Sequence, residues 1–576
     1  MSTTLALPSR AVPSRADALL FRTKTTVLRG LRGLRETLDG TRAAHHGAGG
    51  VLAEAPVVAT VRSPLWTGLA GEKDRALTAG KVQNLRVALR GIDGVEVPAG
   101  AVFSFWRQVG RATRRRGFVA GRELREGCLV SSVGGGLCQL SNALYEAALQ
   151  AGFEIVERHA HSRVVPGSRA QAGRDATVFW NYVDLRFRSP RPFRIEARMT
   201  ADALELVLRS GVPGVLDRLG EPAAPDGRGD AHDCTSCGQT SCRLNNPDTA
   251  LTRHLPTAWL LDAATPEFAA LFAERATRRD ALVLPTRLFG GPRYGWARGR
   301  CGAEASADLA ALRRSLALRR APQGAALQAR ILEADDRLAA SHARRLSHLH
   351  THLVVSQNLL PHLWRLGALQ GRSFEVLMER LPLDVLQAQL DEALARHPES
   401  LTLGDFRAPD AVVAAERAAL DAAARLITAH RGIAALFPGR TQLLDWAAAA
   451  PLASRRGGRA ILLPASALGR KGVHALRAAI TGLDIEVLVQ GGAVEHAGFW
   501  GNRPVRRLMP GEAPAELAAV VLPAIVEHQP RALLRALAAG IPVIATAACG
   551  LGERDGLTVV PADDPAALRA AIAAVL

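Results

Sequence analysis

Several things are scarce in this chain. Seven cysteines in 576 residues are too few for a disulfide framework. Aromatic residues make up only 5%, and no basic stripe is interleaved with them, so nucleic acid is not an expected partner. No unbroken run of about 18 apolar residues occurs, so no membrane-spanning helix is expected. The opening MSTTLALPSRAVPSR has no apolar core behind a basic cluster, so no export signal is expected and the expected location is cytoplasmic. Internal repeats and Pro-rich or Gln/Asn-rich tracts are absent. Lysine is the scarcest charge, present only as Lys24, Lys73, Lys81 and Lys471.

What is present is an ordinary globular composition, 48% hydrophobic and 22% charged, long enough for three or four domains at roughly 100–200 residues each. Seventy-two basic against 54 acidic residues give a net charge of +18. Arginine supplies nearly all of it. With abundant alanine this fits GC-rich codon usage, so the surplus is assigned only a local role at a few residues.

Residues 1–55 form a leader, partly disordered. Its TVLRGLRGLRETLD stretch sets Leu28, Leu31, Leu34 and Leu38 on one helix face beside Arg29, Arg32 and Arg35. Gly30 and Gly33 each cost such a helix about 1 kcal/mol. A surface helix or loose leader is the expectation, with peripheral membrane contact the other use of such a face. Residues 56–210 read as an α+β unit: LCQLSNALYEAALQAG is a helix burying Leu140, Leu144, Ala147 and Ala148 and stopped by Gly152. VFWNYVDLRFR, FRIEARM and LELVLRS alternate like strands. Residues 211–250 are a Cys-rich linker. Beyond it THLVVSQ, AILLPA, IEVLVQGG, AVVLPAIV, IPVIATA and LTVVPA alternate with Ala/Leu helices, the signature of parallel βα units.

Three constellations carry chemistry. In the first, Gly134, Gly135 and Gly136 lead to Cys138 at a helix start, where outward N–H groups and the helix dipole favour a thiolate. His159 and His161 follow, on one face if their segment is a strand, and a Cys–His pair makes an activated nucleophile. Arg174, Asp175 and Asp184 are candidates to orient an imidazole or a substrate. The competing reading is a tight glycine turn with a buried, inert Cys. In the second, Cys234, Cys237 and Cys242 fall within nine residues, Cys-x2-Cys being the turn of knuckle-type zinc sites. His232 is the nearest fourth ligand and His254 the next. Iron–sulfur ligation is the alternative metal reading, and a redox-active linker the metal-free one. Cys128, Cys301 and Cys549 stand alone and are expected to be structural. In the third, Lys471-Gly472 precedes a helix, which suits a diphosphate, and Glu527 lies on a later loop where it can bond sugar hydroxyls. His348, His350 and His352 would share a face on one strand, a row expected to be satisfied or solvent-facing rather than metal-binding.

The stretches VPAGAVFSFWRQVG, RRRGFVAG, GGGLCQLSNALYEAAL, GFEIVERHAHS and GRDATVFWNYVDLRF resemble the VanW family, known from glycopeptide-resistance gene clusters. Some members look like cell-wall L,D-transpeptidases using the Cys of GGG-x-C. The resemblance therefore implies Cys138 as nucleophile with His159 or His161 as its partner. The last 120 or so residues resemble the nucleotide-sugar half of group-one retaining glycosyltransferases, which have the GT-B fold. That resemblance implies that Arg470, Lys471 and Gly472 grip a nucleotide-sugar diphosphate and that Glu527 serves the sugar. It departs from the family where Ser466 stands in place of an Arg and Arg535 in place of the second Glu of Glu-x7-Glu; Arg offers no acceptor for ribose hydroxyls. The crossover helix that usually closes the fold is not expected before Leu576.

The expected architecture is α/β: an N-terminal α+β VanW-like domain at 56–210, then two Rossmann-like parallel halves of GT-B type at 251–435 (acceptor) and 436–576 (nucleotide sugar). The expected function is that of a VanW-like protein with a glycosyltransferase module acting on or recognising an envelope glycan or its precursor. The alternatives are a degenerate GT-B scaffold carrying a ligand-binding VanW domain, and a Cys138-dependent acyl transferase.

Overall fold

A computed structural model describes residues 15–38, 45–46, 50–66, 72–125, 128–160, 174–180, 182–211, 255–289, 291–322, 324–509 and 511–576. It divides into two compact units, the first essentially Met1–Pro256 and the second running from Thr257 to Leu576 apart from two short segments near 350 and 370.

The first unit is built on a five-stranded antiparallel sheet in the order His45–His46, Val95–Val97, Phe193–Met199, Ala203–Ser210, Val57–Pro64. FRIEARM alternates as its sequence demands: Phe193, Ile195, Ala197 and Met199 are buried, while Arg194, Glu196 and Arg198 lie on the opposite face. The helix Cys138–Gln150 packs on this sheet through Leu140, Leu144, Ala147 and Ala148, the face predicted from spacing. Gly152 follows it with φ +68°, and the Phe153 N–H returns to the Ala148 carbonyl at 2.9 Å. Phe187 stacks on Phe103 with centroids 4.6 Å apart beneath the helix.

VFWNYVDLRFR is not one strand. Only Arg186–Arg188 is extended and paired, because reciprocal backbone hydrogen bonds between Phe179 and Val183 fold the preceding residues into a turn. The leader contains a helix, Arg15–Leu38. Arg32 pairs with Glu157 at 2.6 Å, and Arg29 Nε donates to the Trp180 carbonyl at 2.9 Å. Leu31 and Leu34 of the predicted apolar face are exposed.

The second unit holds two parallel sheets. The first runs Ala303–Ser306, Ala281–Leu284, Thr257–Leu260, His352–Ser356, Ser373–Leu377, Arg425–Thr428, Thr441–Leu443. The second runs Val505–Arg507, Glu486–Val489, Arg455–Leu463, Glu516–Leu522, Val543–Thr546, Leu557–Val560. In both, the chain starts in the middle, winds to one edge and then crosses back, which is the doubly wound order. The first half extends to Leu443, because Thr441–Leu443 pairs with Arg425–Thr428; this is past the boundary expected at 435. The six apolar runs read as strands are all strands. His348, His350 and His352 do not share one: the strand begins at His352, and the Ser347 N–H bonds His350 Nδ1 in a preceding turn.

Among the contacts joining the two halves are the Arg531 guanidinium on the Glu267 carboxylate and the Glu495 carboxylate accepting from Ser400 Oγ at 2.8 Å and Leu401 N at 3.0 Å. No described helix is long and apolar enough to cross a membrane.

Candidate functional site

Ligands of doubly wound sheets bind beyond the carboxyl ends of the strands, where the winding reverses. In the second half that point lies between Arg455–Leu463 and Glu516–Leu522. The loops leaving these two strands carry Arg470-Lys471-Gly472 and Pro523–Glu527, so topology alone brings the two sequence-predicted motifs together.

Short-range detail fixes them. The Arg470 carbonyl accepts from Ile525 N at 3.0 Å and Val526 N at 3.1 Å, tying loop to loop. Gly472 has φ +75°, and a Cβ there would collide with the Pro523 carbonyl oxygen, so only glycine permits this approach. Lys471 Nζ then donates to Glu527 Oε2 at 2.6 Å. Glu527 Oε1 accepts from His528 N at 2.8 Å and Gln529 N at 2.9 Å. Burial pushes the Glu527 carboxyl up, but the Lys471 ammonium and these backbone donors outweigh it and hold it below the usual carboxylate range. Burial pulls the Lys471 ammonium down, with Glu527 opposing. The Arg470 guanidinium lies 4.8 Å over the Phe406 ring, from the first half.

A cavity of about 200 Å³ opens beside Arg470 between the halves, lined also by Asp335, Arg380, Leu386, Phe406 and His528. Behind it Arg314 is buried between Asp262 (2.7 Å) and Asp335 (2.9 Å). Burial and then the Asp262 charge push the Glu379 carboxyl up to about 8, and its Oε1 has no hydrogen-bond partner. Arg380 grips the buried Glu416 carboxylate at 2.7 and 3.2 Å. His430 bridges the halves: its Nδ1 accepts from Ile433 N, which leaves Nε2 to donate to the carbonyls of Glu527 (3.0 Å) and Ala548 (3.1 Å).

Asp335, Glu379, Arg380, His430 and His528 were not anticipated from sequence. Gly491 packs against Ser466 so tightly that even a Cβ on it would lie 2.6 Å from Ser466 N and Oγ. Arg535 is exposed on the helix Arg531–Ala538 and reaches the Ala450 carbonyl at 3.4 Å.

In the first unit Cys138 opens its helix after the glycine turn. The turn lies against Lys81, since a Cβ on Gly136 would collide with the Lys81 side chain. Lys81 Nζ donates to the Leu65 carbonyl at 2.6 Å, and burial followed by the Arg122 charge lowers it to about 7. The Cys138 thiol meets the Thr177 hydroxyl at 3.7 Å. His159 follows the strand Glu154–Glu157; its carbonyl accepts from Thr177 N at 2.8 Å, while its ring is half exposed and Nε2 bonds Glu157 Oε1 at 3.2 Å rather than the thiol. Asp184 bonds Ser104 and Arg186, and Asp175 bonds Arg158.

His161 and the set Cys234, Cys237, Cys242 and His232, with His254, lie outside the described residues, as does the Cys128 side chain. Cys301 and Cys549 are buried, and burial pushes both thiols up to about 12, as structural cysteines require.

A switch-point loop with Gly-Arg-Lys-Gly, facing a second doubly wound half across a cleft, is the arrangement of a GT-B glycosyltransferase. Comparison with known proteins agrees: residues 462–576 match the family described as glycosyl transferases group 1, and residues 80–209 match that of VanW like protein. The chain thus carries a VanW domain followed by a group-1 glycosyltransferase domain. Over 129 residues it is 36% identical to the Bacillus subtilis protein YoaR, covering 22% of this chain and 42% of that one. Over 132 residues it is 32% identical to the vancomycin B-type resistance protein VanW of Enterococcus faecalis, covering 22% and 47%. The chain therefore spans less than half the length of either relative. Among solved structures it is similar to sucrose-phosphate synthase from Thermosynechococcus elongatus at 15% identity and TM-score 0.38, covering 56% of this chain and 90% of that one. WaaG, a glycosyltransferase involved in lipopolysaccharide biosynthesis, gives 15% and 0.32, covering 55% and 90%.

Proposed function

We propose that the unit beginning at Thr257 transfers a sugar from a nucleotide-sugar donor, with retention of configuration, to an acceptor held in the cleft. The observation that carries this reading is the Lys471–Glu527 pair at the switch point. It presents a cation at a loop that only Gly472 allows so close to its neighbour. Lys471 and Arg470 hold the diphosphate, and Glu527 serves the sugar. The cavity lined by Asp335 and Arg380 takes the acceptor. An envelope glycan or its precursor is the acceptor class we favour, because the same chain carries a VanW domain and the Enterococcus relative is a vancomycin resistance protein. The first unit, in this reading, recognises that precursor. The pairing of Cys138 with Thr177, rather than with an imidazole among the described residues, supports recognition over acyl transfer.

A second reading is favoured by Ser466 and Arg535: the GT-B unit binds without turnover. A thermal-shift panel of nucleotide-diphosphate sugars against the full chain separates the two. Stabilisation by one donor, lost in Lys471→Ala, together with release of its nucleotide on adding envelope glycan fragments, supports transfer. Stabilisation by glycan fragments but by no donor supports the scaffold.

A further inference from the structure

Away from the donor loop, three ligand-type side chains converge between the halves of the second unit. His397 and Glu399 follow the helix Leu383–Arg396 of the first half, and His474 lies in the helix Val473–Ala479 of the second, three residues after Lys471. Glu399 Oε1 lies 3.6 Å from His397 Nδ1 and 3.4 Å from His474 Nδ1, and one ligand atom from each residue falls within 4.8 Å of the others. A tetrahedral zinc ion with bonds near 2.05 Å sets its ligands about 3.3 Å apart. The two contacts to Glu399 are already close to that edge.

The outer groups fit as well. His397 Nε2 donates to Asp563 Oδ1 at 2.7 Å, which fixes the tautomer and leaves Nδ1 with its lone pair toward Glu399. Asp563 is itself held by Arg396 Nε at 2.8 Å. Among the described residues it is the only non-glycine with a left-handed backbone, φ +60°, a conformation that the surroundings must impose. On the other side, His474 Nε2 is buried without a hydrogen bond and faces Glu495 Oε2 at 3.9 Å. The two imidazoles stack with centroids 4.4 Å apart. A metal needs their lone pairs to converge, which requires the His474 ring, packed between His397 and Phe499 but unheld at Nε2, to turn. Glu399 is exposed and leaves a path for the ion.

We propose that His397 Nδ1, Glu399 Oε1 and His474 Nδ1 form a site for a divalent transition metal of the zinc class. Two imidazoles and one carboxylate suit zinc over calcium or magnesium, which demand oxygen ligands. The fourth position stays open to water. Because the ligands come from both halves, the bound ion fastens the cleft beside the donor loop. The assignment does not depend on the glycosyltransferase reading.

The test uses the full chain, stripped of metal, with Cys234, Cys237 and Cys242 all replaced by serine to silence thiolate binding. Titration with Co2+ is expected to give one tight equivalent with visible ligand-field bands and no thiolate charge-transfer band. Zn2+ displaces it and raises the midpoint of thermal unfolding. His474→Ala and His397→Ala abolish the equivalent. Asp563→Asn, which keeps all three ligands but removes the carboxylate behind His397, weakens it roughly tenfold or more. Circular dichroism confirms that each variant folds. Absence of uptake by the triple-serine chain, or uptake unchanged in folded His474→Ala, overturns the proposal.

Discussion

Lys471 Nζ donates to Glu527 Oε2 at 2.6 Å, joining the two loops that leave the central strands of the second half. Both side chains are nine-tenths buried. Removing one partner of such a pair costs far more than the pair contributes, because the other charge stays desolvated. Lys471→Ala is therefore expected to destabilise the unit by on the order of 3 kcal/mol. Lys471→Met combined with Glu527→Gln is expected to cost clearly less. Urea denaturation of the two variants checks the order.

Gly472 offers a backbone test of the same loop. Ala at this position meets both a positive φ and the Pro523 carbonyl. Gly472→Ala is expected to lower stability by about 2 kcal/mol or more and to weaken nucleotide binding with it. Gly482 also has a positive φ but open space around it, so Gly482→Ala, expected to cost about 1 kcal/mol, is the control.

Glu379 predicts a pH dependence. Its carboxyl, raised from 4.5 to about 8 chiefly by burial, keeps its proton in the folded protein where the unfolded chain has released it. The unfolded state then binds fewer protons, so stability falls as pH climbs from about 5 to about 8. Glu379→Gln, which keeps the shape and removes the titration, is expected to flatten that slope. Stability measured across this range in both proteins decides it; equal slopes contradict the assignment.

Thiol reactivity separates the cysteines of the described core. Cys301 and Cys549, buried and raised to about 12, are expected to label only on unfolding. Cys138 is half-buried beside the Thr177 hydroxyl and is expected to label in the folded state at the rate of an ordinary thiol. Mass-spectrometric mapping after a timed iodoacetamide pulse reads all three. Labelling of Cys138 orders of magnitude faster would restore the acyl-transfer reading.

What could be read from the sequence was what local spacing dictates. The strands of the second unit, the Gly472 turn and the place of Glu527 follow from apolar runs, glycine and chain order. The helix face of Leu140, Leu144, Ala147 and Ala148 follows from the 3.6-residue period. Pairings set by distant packing were not visible. His430 reaches Glu527 from 97 residues away, and Glu379 owes its proton to a buried neighbourhood assembled from several strands and helices. The shared face of His159 and His161 supposed a strand there, but the strand ends at Glu157, and the His159 ring turns to Glu157. Ser466 and Arg535 were legible as departures, while the close approach that makes position 491 a glycine was not.

The central claim is that Lys471 and Arg470 receive a diphosphate. Its most direct test is the affinity of the full chain for a nucleoside diphosphate against the matching monophosphate, by isothermal titration calorimetry across the common bases. The account predicts at least a tenfold preference for the diphosphate of one base, about 1.4 kcal/mol, reduced to near parity in folded Lys471→Ala. Equal binding of mono- and diphosphate by the wild type, or a preference untouched by Lys471→Ala, would contradict it.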